Sequence, residues 1–208
     1  MRGCDLFFTY WSEYDQQMPW HVDQKEPMLL KEELMKKGVN VSCLELDLSQ
    51  RLAPENLLKR VIEQMGDPDI LINNAAYSLN NDFMNLTPEG LDQHYNINVR
   101  ATTLLSCEFA KNFKKKSGGR IVNLTSGQFQ GPMPGELAYA ITKGAVDAFT
   151  ITLAAELAPL GITVNAVNPG PTDTGWMTEE IKAELRPPSF HSVELANRKM
   201  LPEQSNSS

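Results

Sequence analysis

Short apolar runs alternate along the chain with longer segments of helical periodicity. "CDLFFTY" (Cys4 to Tyr10), "VNVSCLEL" (Val39 to Leu46), "DILIN" (Asp69 to Asn73), "RIVNLT" (Arg120 to Thr125) and "ITVNAV" (Ile162 to Val167) read as strands. Between them, "PMLLKEELMKKG" and "PENLLKRVIEQMG" read as helices, each opened by a proline in its first turn and stopped by a glycine. Thr87 should cap a further helical stretch, with Pro88 and Glu89 in its first turn, that runs to about Lys116 with room for a bend. A Gly/Pro-rich loop, "GQFQGPMPGE", then leads into a helix of about Leu137 to Leu160. Strand and helix in regular alternation predict an α/β domain with a parallel sheet covered on both faces. In such sheets ligands bind beyond the carboxyl ends of the strands. Asp47, Asn74, Ser126 and Pro169 all fall at those ends.

The helix from Leu137 to Leu160 carries Ala140, Gly144, Ala145, Ala148, Ala154, Ala155 and Ala158, and is apolar around most of its surface. A helix of that kind must be covered on all sides. A second protomer is the easiest cover, so a homo-oligomer is expected.

Composition narrows the class. The chain has 208 residues, with 41% hydrophobic and 22% charged, which suits a soluble globular domain. A formal net charge of −7 argues against nucleic-acid binding, which wants a basic surface. The basic run "KNFKKK" (Lys111 to Lys116) reads as a solvated helix end. No stretch of eighteen apolar residues and no signal-peptide pattern appears, so no membrane partner is expected and a cytoplasmic location is. The cysteines, Cys4, Cys43 and Cys107, are scattered, which suits reduced thiols. His21, His94 and His191 share no motif with them, so no metal site is expected.

The candidate chemistry lies in "AYAITKG", Ala138 to Gly144. Tyr139 stands four residues before Lys143, and residues so spaced share a helix face. A free tyrosine has a pKa near 10, so roughly 0.1% is ionised at pH 7. Lowering it by two to three units needs about 3–4 kcal/mol of preferential stabilisation of the phenolate. An adjacent ammonium at a partly desolvated site can supply that order, giving a general acid/base near neutral pH. Alone, Tyr-x-x-x-Lys is a common helical spacing. Its neighbours add weight. Ser126, in "NLTSG", stands at a strand end thirteen residues upstream of Tyr139. "NNAA" (Asn73 to Ala76) closes another strand, and "NPGP" closes the fifth. Asn98 falls mid-helix in "YNINVRATT", where an amide between Ile97 and Val99 would be partly buried and need partners.

Together these residues resemble the short-chain dehydrogenase/reductase family. The family pattern reads here as Asp47, "NNAA", Asn98, Ser126, "YAITK" and Pro169-Gly170, over about Met1 to Leu185. It looks most like the 3-oxoacyl-(acyl carrier protein) reductase and glucose-dehydrogenase-like group. The resemblance implies a Rossmann-like doubly wound parallel sheet and an NAD(P)-dependent interconversion of a small-molecule carbonyl and an alcohol. It implies that Tyr139 exchanges a proton with the substrate oxygen, that Lys143 lowers its pKa and binds the nicotinamide ribose, and that Ser126 hydrogen-bonds the substrate. Asn98 would hold a proton-relaying water. Asp47 and Leu48 would contact adenine, Asn74 would lie against the adenosine half, and Thr172 would bind the carboxamide. Ala75, Pro169 and Gly170 would also bind the cofactor. Ala76 replaces the glycine of the family motif.

Two parts of the pattern are missing from the sequence. There is no glycine-rich Thr-Gly-x-x-x-Gly-x-Gly turn, whose helix would hold the cofactor pyrophosphate. "MRGCDLFFTYW" matches the family's second strand instead, and the usual last strand with its Gly-Gly ending is also absent. The expectation is therefore an incomplete Rossmann-like domain over 1–186, lacking its first strand and helix and its last strand. Two inner strands must then lose a partner or pair with each other. Residues 187–208 read as an unstructured tail. A non-catalytic truncated remnant with poor cofactor binding is the alternative to a working oxidoreductase. An extended family member acting on nucleotide sugars is disfavoured by the short chain. No acid ends the second family strand, at Tyr10-Trp11, so NADP is favoured slightly over NAD.

Overall fold

Alternation of strand and helix builds a frame of parallel strands, seen in a computed structural model that describes residues 3–18 and 23–172. The strands are β1 (Leu6–Tyr10), β2 (Val41–Glu45), β3 (Ile70–Asn73), β4 (Gly119–Leu124) and β5 (Ile162–Val167). A short helix α1 (Ser12–Gln16), absent from the periodicity, follows β1. Helices α2 (Glu26–Lys36) and α3 (Ala53–Met65) lie where the two Pro-start, Gly-stop patterns place them. The long stretch after Thr87 is α4 (Pro88–His94), a π-helical segment (Tyr95–Ala101) and α5 (Thr102–Asn112). Its N-cap forms as expected, with the Thr87 hydroxyl accepting from the Gly90 N–H at 3.1 Å. The bend is the π-helical segment, an insertion often found at functional sites. Helix α6 (Leu137–Leu157) continues into a 3₁₀ turn (Ala158–Leu160) before β5.

The chain divides into two compact units, Met1–Gly170 and Pro171–Ser208. The expected boundary at residue 187 and the tail beyond it lie outside the described residues.

The sheet is not continuous. β1 pairs with β2, and β3, β4 and β5 form a second parallel sheet in that order. These are the two halves of the doubly wound order 3-2-1-4-5-6, with no strand between them among the described residues. β1 and β3 do not pair with each other. The helical layer holds both halves. Leu57 and Leu58 of α3 and Leu105 of α5 bury against Phe7, Leu44 and Leu71, while Phe109, Leu153 and Leu157 bury against Ile121, Ile162 and Val164. Leu71 of β3 packs against both clusters and so links them. The expectation of a sheet covered on both faces fails at β3. Ile70 and Ile72, on the face opposite Leu71, are 49% and 59% exposed. Alternation sends them away from the α3–α5 layer, and no described element covers them.

The basic run is also placed differently. α5 stops at Asn112, and Lys114 and Lys115 lie beyond it, paired with Asp67 (3.0 Å) and Asp69. Carboxylates flanking the start of β3, rather than helix-end carbonyls, receive them.

Candidate active site

The carboxyl end of β4 and the first turns of α6 bring the hydroxyl, the phenol and the ammonium together. Thr125 prolongs the β4–β5 ladder, donating to the Val167 carbonyl at 2.9 Å, so that Ser126 emerges just past the last paired residue. α6 starts at Leu137, which puts Tyr139 in its first turn and Lys143 one turn on. The Ser126 side chain faces the Tyr139 phenol closely enough to favour its ionised form. The Lys143 ammonium lies 5.5 Å from the Tyr139 ring centroid and donates to the Leu124 carbonyl at 2.7 Å.

The electrostatics correct one expectation. Lys143 is only 4% exposed, and burial pushes its pKa down to about 8 against an opposing pull from Asp147. The Tyr139 phenol is not lowered. Burial raises it above its usual 10; the Ser126 side chain works against that, and the Glu136 charge adds to it. The ammonium is turned to the Leu124 carbonyl and the ring face, so it does not offset burial of the hydroxyl.

Asn98 is buried, as its apolar flanks imply, at 1% exposure in the π-helical segment. Its Oδ1 accepts from the Tyr77 N–H at 2.7 Å, and its Nδ2 donates to the Tyr77 carbonyl at 2.9 Å and the Thr142 hydroxyl at 3.0 Å. Both amide hydrogens are thus committed to protein oxygens. Thr142 in turn donates to the Tyr139 carbonyl at 2.9 Å. The side chain joins the loop after β3 to the backbone that carries the phenol.

The residues expected along a cofactor stand at the strand ends. Asp47 follows β2 and caps its own turn, accepting from Ser49 N–H (2.7 Å), Ser49 hydroxyl (2.8 Å) and Gln50 (2.8 Å). Burial would raise its carboxyl, but those bonds and the Arg100 charge hold it below the usual range. Leu48 packs into the α3 cluster. Asn74 and Ala75 are exposed just beyond β3. Pro169 and Gly170 follow β5, with Gly170 at φ 70° and its N–H donating to Asn168 Oδ1 at 3.0 Å. Thr172 belongs to the second unit.

Several residues escape the sequence reading. The Tyr14 hydroxyl, on α1, donates to the Ser78 carbonyl (3.3 Å) and accepts from the Ser78 N–H (3.1 Å), tying the end of the first sheet to the loop after β3. Trp11, Tyr14, Tyr77 and His94 form a run of ring contacts, at 5.7, 5.2 and 4.9 Å between centroids. His94 Nε2 accepts from the Leu79 N–H, so Nδ1 carries the proton and donates to the Gly90 carbonyl at 2.7 Å. Burial lowers its pKa, consistent with a neutral ring. Gln128 donates to Asp147, the residue one turn beyond Lys143. Only Asp147 had a signal in the sequence, its spacing from Lys143; Tyr14, His94 and Gln128 are placed by contacts across 15 to 64 residues.

A parallel α/β frame with a serine, a tyrosine and a buried lysine at its carboxyl edge defines a class of dinucleotide-dependent oxidoreductase folds. The short chain dehydrogenase family model matches residues 17–185, and the chain belongs to that family. It is 47% identical over 188 residues to the uncharacterized oxidoreductase YjdA of Bacillus subtilis, covering 89% of this chain and 71% of the relative. A short chain dehydrogenase from Burkholderia cenocepacia, solved in complex with NADP, superposes with a TM-score of 0.77 at 31% identity, over 88% of this chain and 71% of that one. A blue fluorescent protein from a metagenomic library, in complex with NADPH, gives a TM-score of 0.75 at 29% identity, over 85% of this chain and 69% of that one. Among the described residues no cluster of His, Cys, Asp or Glu could hold a metal, and no helix is long and apolar enough to cross a membrane.

Proposed function

We propose that the protein is an NAD(P)-dependent oxidoreductase that interconverts a carbonyl and an alcohol, with Tyr139 as the general acid/base. The observation that carries this reading is the buried Lys143 ammonium, 5.5 Å from the Tyr139 ring centroid and bonded to the Leu124 carbonyl, at the carboxyl end of β4 where Ser126 emerges. Ser126 orients the substrate oxygen, and Tyr139 gives it a proton in reduction or removes one in oxidation. Lys143 provides the positive charge beside the phenol. Asn98 and Thr142 hold the backbone of that turn. The nicotinamide, when bound, supplies or accepts the hydride.

The donor set fits such a cofactor at its two ends. Lys143 and Tyr139 suit ribose hydroxyls, and the exposed Asn74 and Ala75 offer a narrow, open strand end. NADP is the favoured form, since Tyr10 and Trp11 bring no acid to the end of β1 and two similar structures were solved with NADP and NADPH. The pyrophosphate is served less well, because the 208 residues contain no glycine-rich turn.

For a polypeptide limited to these 208 residues, a second reading is weak dinucleotide binding and negligible turnover. Hydrogen bonds to a charged group are worth about 1.5–3 kcal/mol each. Lacking two or three of them costs roughly 4 kcal/mol, or about a thousandfold in affinity. The experiment is a fluorescence titration with NADPH and NADH, then a carbonyl-reduction assay, on the chain itself and on a version with a strand, glycine-rich turn and helix added before Met1. The expected outcome is millimolar binding in the first and micromolar binding with turnover in the second. Micromolar binding by the unextended chain would overturn the second reading. Tyr139→Phe in whichever form turns over should remove nearly all activity with little change in cofactor affinity, and near-normal turnover there would overturn the first.

A further inference from the structure

Helix α6 carries three functional groups on one face, at i, i+4 and i+8: Tyr139, Lys143 and Asp147. The first two belong to the proposed site. The third is held from outside the helix. Gln128, in the loop after β4, donates its side-chain amide to Asp147 Oδ2, and Thr125, the residue before Ser126, also favours the ionised form of that carboxyl. Both partners leave β4 at the end where Ser126 emerges. The carboxyl is therefore held toward the β4 end one helical turn beyond Lys143, while Lys143 is held between Leu124 and the Tyr139 ring.

We propose that Asp147 is a positioning residue for Lys143, the clamped counter-charge that keeps the buried ammonium in place beneath the phenol. This rests on Lys143 belonging to the site. The need for it is physical. A lysine with 4% exposure loses nearly all its hydration, and its ammonium donates to a neutral carbonyl, that of Leu124. The direction of the titration agrees: burial pushes Lys143 down to about 8, and Asp147 is the charge that pulls it back up. In the other direction, burial raises the Asp147 carboxyl, and the Gln128 bond, the Lys143 charge and the Thr125 side chain each favour its ionised form. Among the described residues, Tyr139 itself and Glu136, which acts on Tyr139 from the start of α6, are further titratable groups near this face. Tyr14 also feels the Tyr139 phenol from α1. None of these is a carboxylate bonded to the β4 end.

The test is a pH titration of the ¹³Cε resonances of isotopically labelled lysine in the whole chain, with the Lys143 signal assigned by its loss in Lys143→Arg. Asp147→Asn, close to isosteric, should lower the Lys143 midpoint by about one pH unit, in line with removing an opposite charge one helical turn away. Asp147→Glu should restore most of the shift. In the unsubstituted protein the same resonance should show a second, smaller step in the acid range as Asp147 protonates, so the coupling is read even if Asp147→Asn fails to fold. A Lys143 midpoint unmoved in a folded Asp147→Asn protein, or the absence of the acid step, overturns the proposal. The titration needs neither substrate nor dinucleotide. Normal turnover in Tyr139→Phe would defeat the oxidoreductase reading while leaving this coupling measured, and an unmoved midpoint would defeat the coupling while leaving that reading intact.

Discussion

Replacing Asn98 with leucine should destabilise the fold by about 3 kcal/mol. The side chain is 1% exposed and makes three hydrogen bonds: from the Tyr77 N–H, to the Tyr77 carbonyl and to the Thr142 hydroxyl. Leucine fills a similar volume but has no donor or acceptor. Thr142 keeps its bond to the Tyr139 carbonyl, so its loss is small. The Tyr77 N–H and carbonyl, on a residue 8% exposed, would be left without Asn98. A buried polar group left unpaired costs about 1–3 kcal/mol, and one donor plus one acceptor gives the figure of about 3. With a urea m-value of about 2 kcal/mol/M, the unfolding midpoint should fall by about 1.5 M at unchanged slope. Asn98→Asp separates donor from acceptor. It can still accept from the Tyr77 N–H, but at neutral pH it sets a buried carboxylate against the Tyr77 carbonyl. Its defect should therefore shrink as pH falls and the carboxyl regains a proton. A double-mutant cycle of Asn98→Leu with Thr142→Val should show a coupling of about 1 kcal/mol. A midpoint shift under about 0.5 M for Asn98→Leu would mean that the π-helical amide is not what anchors the loop after β3.

Lys143 should give stability a definite pH dependence. Its folded pKa of about 8 lies below the ordinary 10.5, so between those values the unfolded chain binds the extra proton and unfolding free energy rises with pH. Relative to Lys143→Met, urea melts should show the unsubstituted protein gaining up to about 3 kcal/mol from pH 7 to 10.5, and a constant difference would refute the depressed pKa. The exposed side of α6 carries Ile141 (58%) and Ile151 (74%) with Ala148 and Ala155 between and beyond them, and we expect it to join a second copy. Ile141→Asp should then shift light scattering from oligomer to monomer, and a monodisperse monomer before substitution would count against the interface. The uncovered face of β3 should bind an apolar dye, and Ile70→Thr with Ile72→Thr should reduce both dye fluorescence and aggregation. Dye binding unchanged by that pair would place the exposed apolar surface elsewhere.

What the sequence determined by itself was whatever rests on local spacing. Apolar runs bounded by Pro and Gly set the strands and most helices to within a few residues, because periodicity and caps act over one or two turns. The Thr87 cap, the start of α6 and the grouping of Ser126 with Tyr139 and Lys143 follow from that, since strand ends of a parallel sheet face one edge. The break between β1 and β3 was legible only as a choice between two outcomes. It was decided by Leu71 and the α3–α5 layer, which fix where each half lies. The direction of the Tyr139 shift was not legible at all. Spacing places an ammonium near a phenol, but burial, the Leu124 carbonyl and the Ser126 side chain decide which form is favoured. The same is true of Asn98. Its sequence position said that a buried amide needs partners, and only the packed structure could name Tyr77, 21 residues away, and Thr142, 44 residues away. Those partners meet because three separate elements converge at one strand edge, and no local pattern records a distance of that kind.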